Sequence, residues 1–335
     1  NVSRAAERLS LSQPAVSNAL GRLRELLDDP RFAHNADRNH NRRELEAAGA
    51  HVVVNDVTEL DLGDVRDDPW ELSFEGIEPE HEGRREALTT LANGYMSVRG
   101  AAPESQADGV HYPGTYMAGI FNRLVSTVND REIEHESMVN LPRWALCDIR
   151  VADGEWWSEG GLEVVEENRT LSFQTGVLTR TAVLVDPEGR RLRVKQQRLV
   201  SMAHQHIGAM LTEITPVNHS GLIAIRTGVD TAVLNDNVAE YDQLAKRHLV
   251  NRYNSVAQDG TLICEVETTQ SHLRIAMAQR TTITQEPTHA VTAHVPEVSH
   301  AYSVTTVEDT HAIYREFAVP VESGYAVFGT LSLAL

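Results

Sequence analysis

Alternating apolar and polar residues dominate the chain from about residue 171 onward and predict antiparallel β-strands. Val177–Val185 alternates apolar with polar residues, and Leu192–Leu199 returns as its partner after the turn signal at Asp186–Gly189. Successive side chains of a strand point to opposite faces of a sheet, so this pattern buries one face and exposes the other. The sequence therefore predicts a hairpin, closed by residues that favour chain reversal.

Further short apolar runs, separated by turn residues, extend this pattern to the last residue. Strands are predicted at Thr261–Val266, His272–Gln279, Ala290–His294, Ile313–Val319 and Tyr325–Leu335. Many short strands with turn signals between them are typical of a sandwich or barrel. We predict a mainly β fold, a large two-sheet antiparallel β-sandwich, with helices of that region at Arg84–Leu91 and Val238–His248.

Helical spacing replaces the alternation near the first residue, and residues 1–34 are predicted as helix, turn, helix. Ser12 is a good N-cap, and Pro14 suits the first turn of the second helix. The apolar residues of that helix lie three and four positions apart, at Val16, Leu20, Leu23 and Leu27. Such spacing gives one apolar helix face.

This segment, RAAERLSLSQPAVSNALGRLRELLDDPRF, resembles the helix-turn-helix of LysR-type transcription regulators. The resemblance implies that the second helix would enter the major groove of DNA. The candidate DNA-contacting residues are Ser12, Gln13, Ser17, Asn18, Arg22 and Arg24. The first helix of the family is missing and the segment carries almost no net charge, so DNA binding is the alternative hypothesis.

Residues 35–67 are predicted as a linker followed by a short α/β remnant. Within them, residues 42–65 combine a helix, a stop at Gly49 and a strand at His51–Val54. This segment resembles the end of a haloacid-dehalogenase-type phosphatase domain. The Asp-x-Asp nucleophile motif of that family is absent from the sequence here, so we do not predict phosphatase activity.

Composition changes this picture in two respects. The 335 residues carry 30 basic and 48 acidic side chains, a net charge of −18. Such a surface repels nucleic acids and acidic membranes, and no apolar run is long enough to span a bilayer. Cys147 and Cys264 form no disulfide framework or zinc spacing, which predicts buried free thiols in a cytoplasmic protein. The first residues are neither an initiator Met nor a signal peptide, so we expect a fragment.

Four motifs precede the alternating region: DPWEL from Asp68, LANGYMSVRG from Leu91, HYPGTYMAGIFNRL from His111 and VNLPRW from Val139. With the strands that follow, they resemble glycoside hydrolase family 65 over residues 68–335. That family cleaves disaccharides such as trehalose, maltose and kojibiose, mostly with phosphate. The resemblance implies its N-terminal β-sandwich, often called a supersandwich, which an (α/α) catalytic barrel follows in family members.

The resemblance also implies what the chain does. We expect a non-catalytic domain that braces the missing barrel, without a cofactor and inactive alone. Disaccharide and phosphate would bind only the full-length family enzyme. Assembly of this chain into a homodimer is kept as an alternative to a monomer. The alternative is a LysR-like DNA-binding regulator with a sugar-sensing β-sandwich. A third interpretation is that a gene-model or assembly error joined the segments.

The family motifs supply a structural candidate, a strand-turn-strand unit at the edge facing the barrel. Its members are Asn93, Gly94, Tyr95, Arg99 and Gly100. Asn-Gly is a turn pair that tolerates positive φ, and the arginine is a forked donor that can tie down a loop carbonyl or carboxylate. Residues predicted to pack nearby are Trp70, Tyr112, Tyr116 and Phe121.

Trp156 and Trp157 are the candidates for carbohydrate contact. Adjacent residues of a strand point to opposite faces, so we expect one of these rings to point outward. His204 and His206 share one face of a predicted strand end. No third ligand is adjacent to them in sequence, so we predict no metal site.

Overall fold

The fold is given by a computed structural model that describes residues 70–236, 243–287, 303–308, 311–323 and 325–335. Those ranges contain eighteen strands, one α-helix and one short 3₁₀ turn. The mainly β class predicted from the sequence is confirmed. None of the helices in these ranges has the length and apolar character that a membrane crossing would need.

The elements follow one another along the chain with few long connections. Helix α1 (Pro79–Leu88) lies between the first two strands, and the 3₁₀ turn (Trp157–Glu159) lies between the seventh and eighth. In chain order the strands are β1 (Glu71–Glu75), β2 (Leu91–Ala92), β3 (Met96–Val98), β4 (Thr115–Met117), β5 (Phe121–Val128), β6 (Arg131–Met138), β7 (Arg143–Val151), β8 (Glu163–Ser172), β9 (Val177–Val185), β10 (Arg191–Val200), β11 (Ile207–Pro216), β12 (Gly221–Asp230), β13 (Leu249–Val256), β14 (Leu262–Thr268), β15 (Arg274–Pro287), β16 (Ser303–Glu308), β17 (Ala312–Val321) and β18 (Tyr325–Ala334).

Two sheets of the described ranges account for most of these strands. The larger has the order β1-β8-β9-β10-β11-β18-β15-β14-β13, and the smaller has the order β16-β17-β12-β7. The predicted hairpin is confirmed as β9 and β10. Its turn is closed by a bond of 3.0 Å from the Gly189 amide to the Asp186 carbonyl, with Gly189 at φ +79°.

The core lies between the two sheets. Trp144 of β7 is fully buried, and a Cβ added at Gly208 of β11 would lie 2.8 Å from its ring. Gln279 of β15 crosses the interface and donates to the carbonyls of Trp144 and Gly228, each at 2.8 Å. The register of β12 shifts between Gly228 and Asp230, and a side chain of the opposite sheet satisfies a carbonyl of this bulge. This packing confirms a two-sheet sandwich.

The two cysteines are free and buried, as predicted. Cys147 lies on β7 and Cys264 on β14. Burial raises the pKa of both thiols to about 12, so each behaves as a small apolar side chain.

Helix α1 differs from its predicted bounds of Arg84–Leu91. It begins five residues earlier, at Pro79, because proline suits the first turn, where the backbone amide needs no partner. It ends before Leu91, because that residue pairs with Val98 in the β2–β3 ladder. Leu91 therefore belongs to the β2–β3 ladder, although the apolar pattern assigned it to the helix.

Two other elements predicted from the sequence are not seen in the described residues. The helix predicted at Val238–His248 is wrong over residues 243–248, which form a turn and an irregular segment leading into β13. There the Lys246 carbonyl accepts a bond from the Asn235 amide, a contact that a helix would not make. The strand predicted at Ala290–His294 lies outside the described residues.

The expected packing of aromatic residues is confirmed only in part. Tyr112 is buried, and its hydroxyl donates to the Leu234 carbonyl at 3.0 Å. Trp70 and Phe121, which were expected to pack, are 53% and 41% exposed and so do not belong to the buried core. Trp70 precedes the edge strand β1, and Phe121 opens the two-stranded β5–β6 sheet, where the large sheets do not cover it.

Candidate functional site

A cavity of about 500 Å³ opens between α1, residues 102–111 and strands β8 and β9. This volume falls within the range of small-molecule sites, roughly 300–1,000 Å³. Carboxylates, guanidinium groups, a histidine and an indole line it: Glu82, Glu104, Glu167, Arg169, Arg180, His111 and Trp157. The charged groups Glu104, Arg169 and Arg180 are more than nine-tenths buried, which is rare for such residues without partners.

Carboxylates and guanidinium groups alternate along one wall of this cavity. Arg180 places its two terminal nitrogens 2.8 Å from the two oxygens of Glu104, and one of them also lies 2.7 Å from Glu167. Arg169 continues the series, 3.1 Å from Glu167 and 2.7 Å from Glu82. Since Glu82 belongs to α1 and Glu104 to the loop after β3, the two arginines attach both segments to the large sheet.

These neighbours set the protonation states of the series. Burial alone would raise the pKa of Glu167, but Arg180 and Arg169 outweigh burial and lower that pKa to about 2. Burial alone would lower the pKa of Arg180, but Glu104 and Glu167 outweigh it and raise that pKa. Glu167 and Arg180 therefore stay charged at neutral pH, and removing either one would leave the charge of its partner buried and unpaired.

A second cluster joins α1 to the loop at residues 111–112. The carboxylate of Glu86, fully buried, accepts the Tyr112 amide at 2.9 Å on one oxygen, and its other oxygen lies 3.1 Å from His111 Nδ1. The bond with Glu86 raises the pKa of His111, although burial opposes it. Protonation of this histidine therefore strengthens the attachment of the loop to the helix.

Three groups of this cluster have the spacing of metal ligands. Ligand atoms of Glu82, Glu86 and His111 lie within 4.8 Å of one another. However, Arg169 lies 2.7 Å from Glu82 and Arg99 lies 3.5 Å from Glu86. A guanidinium group at each carboxylate repels a cation. The donor set therefore fits an ion-paired attachment better than a metal centre.

The two histidines considered as ligands from the sequence lie elsewhere. His204 and His206 are exposed in the connection between β10 and β11, not on a strand. The ring of His206 meets that of Tyr95 edge-on, with 4.2 Å between centroids. A side-chain amide nitrogen of Gln205 lies 3.2 Å from His206 Nε2. This geometry supports packing between two turns.

The Asn93-Gly94 pair forms the turn between β2 and β3. Asn93 Oδ1 accepts the amides of Tyr95 and Met96 at 3.0 and 2.9 Å, and Gly94 has φ +86°. The side-chain nitrogen Nδ2 of Asn93 donates to the carbonyl of Ser201 at 2.8 Å. The turn is thereby tied to the β10–β11 connection. Its location at an edge that faces a catalytic barrel stays a prediction.

Arg99 and Gly100 hold three segments together. Arg99 Nε donates to the Tyr112 carbonyl at 2.9 Å, and Nη2 donates to the Gly83 carbonyl at 3.1 Å. A Cβ added at Gly100 would lie 1.9 Å from Thr89 Oγ1, so no side chain fits there. The Arg-Gly pair thus has a structural reason: a forked donor beside a residue that must approach the end of α1 closely.

The expectation that Trp156 or Trp157 would point outward is wrong. The two are 5% and 6% exposed, because the chain leaves the strand and makes a 3₁₀ turn at this point. The guanidinium of Arg226 lies 3.9 Å from the Trp156 ring centroid, and that of Arg180 lies 5.1 Å from the Trp157 centroid. Both rings serve cation–π contacts. Carbohydrate contact at either ring stays a prediction.

The sequence patterns did not indicate a role for Arg169, Arg180 or Arg198. All three take inward positions of β8, β9 and β10, where the alternation leads one to expect apolar residues. Arg198 donates to the carbonyls of Arg99 and Ala101 at 3.0 and 2.8 Å, while burial and nearby arginines lower its pKa to about 10. An arginine at an apolar position of an alternating strand is the signal that reveals such residues.

The candidate DNA-contacting residues lie outside the described residues. They are Ser12, Gln13, Ser17, Asn18, Arg22 and Arg24. The predicted linker and phosphatase-like remnant at 35–67 also lie outside them. The domain bounds drawn from the sequence, at 1–34, 35–67 and 68–335, stay predictions.

Two family models match the chain. Residues 72–325 match the N-terminal domain of glycosyl hydrolase family 65. Residues 1–47 match the bacterial regulatory helix-turn-helix protein, lysR family. The two matches do not overlap, and the first covers most of the described residues.

Relatives with curated descriptions match about two thirds of the chain. An uncharacterized glycosyl hydrolase of Mycobacterium tuberculosis is 38% identical over 217 residues, 65% of this chain and 16% of that protein. A kojibiose phosphorylase of Caldanaerobacter subterraneus subsp. tengcongensis is 32% identical over 226 residues, 67% of this chain and 27% of that protein. The chain therefore spans about a quarter or less of the length of these relatives.

A solved structure shows the same fold. It is a human-microbiome protein described as a kojibiose phosphorylase, with a TM-score of 0.64 and 13% identity over 80% of this chain and 32% of that chain. At such low identity the likeness concerns the fold alone. The family match covers more than half of the chain. The chain thus belongs to glycosyl hydrolase family 65, of which it carries the N-terminal domain.

Proposed function

We propose that the β-sandwich is the non-catalytic domain of an α-glucoside phosphorylase or hydrolase of the trehalose, maltose or kojibiose type, and braces its (α/α) catalytic barrel. The observation that carries this proposal is the match of residues 72–325 to the family's N-terminal domain. Relatives include kojibiose phosphorylases and a trehalose 6-phosphate phosphorylase of Lactococcus lactis, which supports the choice of substrates. The setting is cytoplasmic.

The charged cavity supports a bracing role. Inverting cleavage of a glycosidic bond needs an acid and an activated water or phosphate on opposite sides of the sugar. Glu82, Glu104 and Glu167 instead bind arginines, and the pKa of Glu167 is about 2, which suits no proton donor. Their ion pairs hold α1 and the loop after β3 against the sheet, and so stiffen the surface that these segments form.

An activity assay of the full chain tests the proposal. With phosphate and kojibiose, trehalose or maltose, the chain should release no glucose 1-phosphate. Release that is lost on heat denaturation would overturn the non-catalytic role. A chimaera tests the bracing: residues 70–335, in place of the N-terminal domain of the Caldanaerobacter enzyme, should retain phosphorolysis. Loss of activity in a folded chimaera would count against it.

Partners follow from the same proposal. The catalytic barrel is the principal partner, and disaccharide and phosphate bind only the full-length enzyme. A homodimer is a second arrangement for this chain. Size-exclusion chromatography with light scattering distinguishes a monomer of this chain from a dimer, because a mass near 37.1 kDa at all concentrations excludes a dimer.

One observation favours a second function. The helix-turn-helix match at residues 1–47 fits a DNA-binding regulator that uses the sandwich as a sugar sensor. Duplex DNA binding should then weaken steeply with salt and disappear in an Arg22→Ala, Arg24→Ala double variant. No band shift at low salt would remove this alternative. The net charge of −18 weighs against it.

A further inference from the structure

Several loops meet at one end of the large sheet, as the strand register shows. Leu178 near the start of β9 lies opposite Arg198 near the end of β10. Ile207 at the start of β11 lies opposite Ala334 at the end of β18. The β8–β9 turn, the β10–β11 connection and the end of β18 therefore lie at the same end of the strands.

Three further turns extend this surface. The Ala118 amide, in the β4–β5 turn, donates to the Tyr95 carbonyl at 2.8 Å, and the Tyr95 ring contacts His206 of the β10–β11 connection. Ser271 Oγ, in the β14–β15 turn, donates to the Phe121 carbonyl at 2.8 Å. The β2–β3, β4–β5 and β14–β15 turns and the base of the β5–β6 hairpin thus belong to the same surface.

These loops, which we name the uncharged end, contain no Asp, Glu, Lys or Arg. They are residues 93–95, 118–121, 173–176, 201–206 and 269–273. Charged residues make up 23% of the chain, and its net charge is −18, so their absence from all of these loops is a local property. The core of a protein–protein interface is depleted of charged residues in the same way.

The opposite end of the sandwich shows that exposed loops of this chain carry charges elsewhere. The Val217 amide, after β11, donates to the Arg191 carbonyl at the β9–β10 turn, and the Ser323 amide, after β17, donates to Ser220 Oγ. The loops at that end contain six charged residues: Asp153, Glu155, Asp186, Glu188, Arg190 and Glu322. The two ends of one sandwich therefore differ in the partners that they can accept.

Large apolar side chains are exposed at the uncharged end. Met202 is 79% exposed and Phe173 is 54% exposed. The Phe173 amide donates to the carbonyl of Trp70, whose side chain is also exposed. Phe121 and Met138 lie opposite one another at the base of the β5–β6 hairpin, and both are exposed. Methionine and aromatic residues are enriched at interfaces, and clustered exposed apolar groups mark interaction sites.

The chemistry of this surface selects the class of partner. Nucleic acids and acidic membranes are bound through Lys and Arg, which these loops lack. A folded domain with an apolar surface fits them instead. The last strand of the sandwich, β18, also ends here, where the Leu335 amide donates to the His206 carbonyl at 2.9 Å. A domain that follows the sandwich along the chain therefore begins at this surface, and a second copy bound here would cover that position in both molecules.

We propose that the uncharged end is the surface on which the catalytic barrel docks, with Met202 and Phe173 covered by the barrel. This inference rests on the proposed function, which supplies the barrel. It identifies the part of the sandwich that makes the contact. The charged opposite end stays in solvent.

Oxidation by hydroxyl radicals, read by mass spectrometry, tests this docking. The full chain is compared with a fusion in which it replaces the matching part of the Caldanaerobacter kojibiose phosphorylase. Oxidation of Met202 and Phe173 should slow by about fivefold or more in the fusion, because contacts at an interface exclude water. Leu222, exposed near the opposite end, should be oxidised equally in both proteins. Equal rates at Met202 and Phe173 would overturn the proposal, and so would their protection in the full chain alone at high concentration, which would indicate a second copy.

Charge placed at each end provides a matched pair of variants. Met202→Glu combined with Phe173→Glu should leave the melting temperature of the full chain unchanged, since both side chains are exposed. In the fusion the same variant should restore fast oxidation of Phe121. Val217→Glu combined with Leu222→Glu adds the same charge near the opposite end and should leave Phe121 protected. Protection of Phe121 in both variants, or its loss in both, would overturn the proposal.

Phosphorolysis of kojibiose by the fusion separates the two proposals. A fusion that releases glucose 1-phosphate while Met202 stays unprotected would contradict the docking surface alone. A fusion in which Met202 is protected but no glucose 1-phosphate is released would contradict the bracing function alone. A fusion whose two parts unfold independently, with Met202 unprotected, would overturn the docking surface as well.

Discussion

The two halves of the large sheet present opposite surfaces to the interior. Residues that lie opposite one another on successive strands show this in one row: Arg169, Arg180, Gln196, Thr212, Gly329 and Ile283. The row is charged on β8 and β9, uncharged and polar on β10 and β11, and apolar on β18 and β15. Groups from α1 and the loop after β3 cover the charged half, whereas the smaller sheet covers the apolar half.

This difference indicates how each half of the sheet tolerates amino-acid substitutions. An ion pair in the interior is directional, and loss of one partner leaves the other charge buried and unpaired. An apolar contact is not directional, and loss of methyl groups leaves a cavity that neighbours can partly fill. We therefore expect the charged half to be more sensitive to single substitutions, and the apolar half to accept substitutions that conserve volume.

Arg180→Ala should give the largest effect. It removes the guanidinium that faces Glu104 and Glu167, so the free energy of unfolding should fall by about 3–5 kcal/mol. Urea denaturation measures this change. The control Arg123→Ala breaks ion pairs on the exposed β5–β6 hairpin and should leave the midpoint unchanged. Equal effects of the two variants would contradict the comparison.

Leu331→Ala tests the apolar half. This side chain of β18 is 1% exposed, and its truncation should cost about 3 kcal/mol through lost burial and a residual cavity. Leu331→Met, which nearly conserves volume, should cost less than about 1.5 kcal/mol. Arg180→Lys should be far less well tolerated, because an ammonium group cannot reproduce the two contacts to Glu104. Similar losses for both conservative variants would remove the proposed difference between the halves.

Gly100→Ala should disturb the cover of the charged half by about 1–3 kcal/mol. The new Cβ would lie 1.9 Å from Thr89 Oγ1 and 2.9 Å from Thr89 Cβ, so the loop must move away from α1. Thermal unfolding reports the loss. The matched control is Gly83→Ala, where the nearest atom outside the helix is 3.8 Å away and alanine favours the helix. Destabilisation by the control alone would contradict this view of the close approach.

Lowering the pH should reduce the free energy of unfolding in two overlapping steps. The pKa of folded His248 is lowered from 6.5 to about 4, so the unfolded chain binds more protons and stability falls as pH drops from 6.5 towards 4. The pKa of folded Glu167 is lowered from 4.5 to about 2, so its stabilisation is present above 4.5 and is lost as pH falls towards 2.

Urea midpoints measured across the acidic range check both steps. His248→Gln should reduce the loss that begins near pH 6.5, and Glu167→Gln should reduce the later one, to which the lowered pKa of Glu267 also contributes. The first step belongs to His248, outside the ion-paired cavity, and the second belongs to Glu167 within it. A pH profile that neither substitution alters would show that other groups govern acid unfolding.

Local patterns predicted the regular parts of the fold well. The strand at Val177–Val185 and the turn at Asp186–Gly189 follow from alternation and turn chemistry, which act over a few residues. The bounds of α1 and the missing helix at 243–248 did not follow, because ladder pairing and loop contacts override helical spacing there. Local propensity is a weak prior wherever tertiary pairing competes for the same backbone groups.

The candidate sites were harder to predict. Arg180 and Glu104 are 76 residues apart in the chain, and His248 and Asn122 are 126 apart. No local pattern connects such pairs, since their meeting depends on strand register and on the path of the loops. Trp156 and Trp157 show the same limit: their adjacency suggested one exposed ring, but a 3₁₀ turn and two arginines cover both.

By itself the sequence determined the fold class, the hairpin of β9 and β10, the buried thiols and the family, because periodicity and short motifs are local and keep their order along the chain. The tertiary structure alone decided which charges meet, whether Trp156 and Trp157 are buried, and where glycine is obligatory. Those properties depend on distances between segments far apart in sequence. Alternation determines which face a side chain takes, and only packing determines what it meets there.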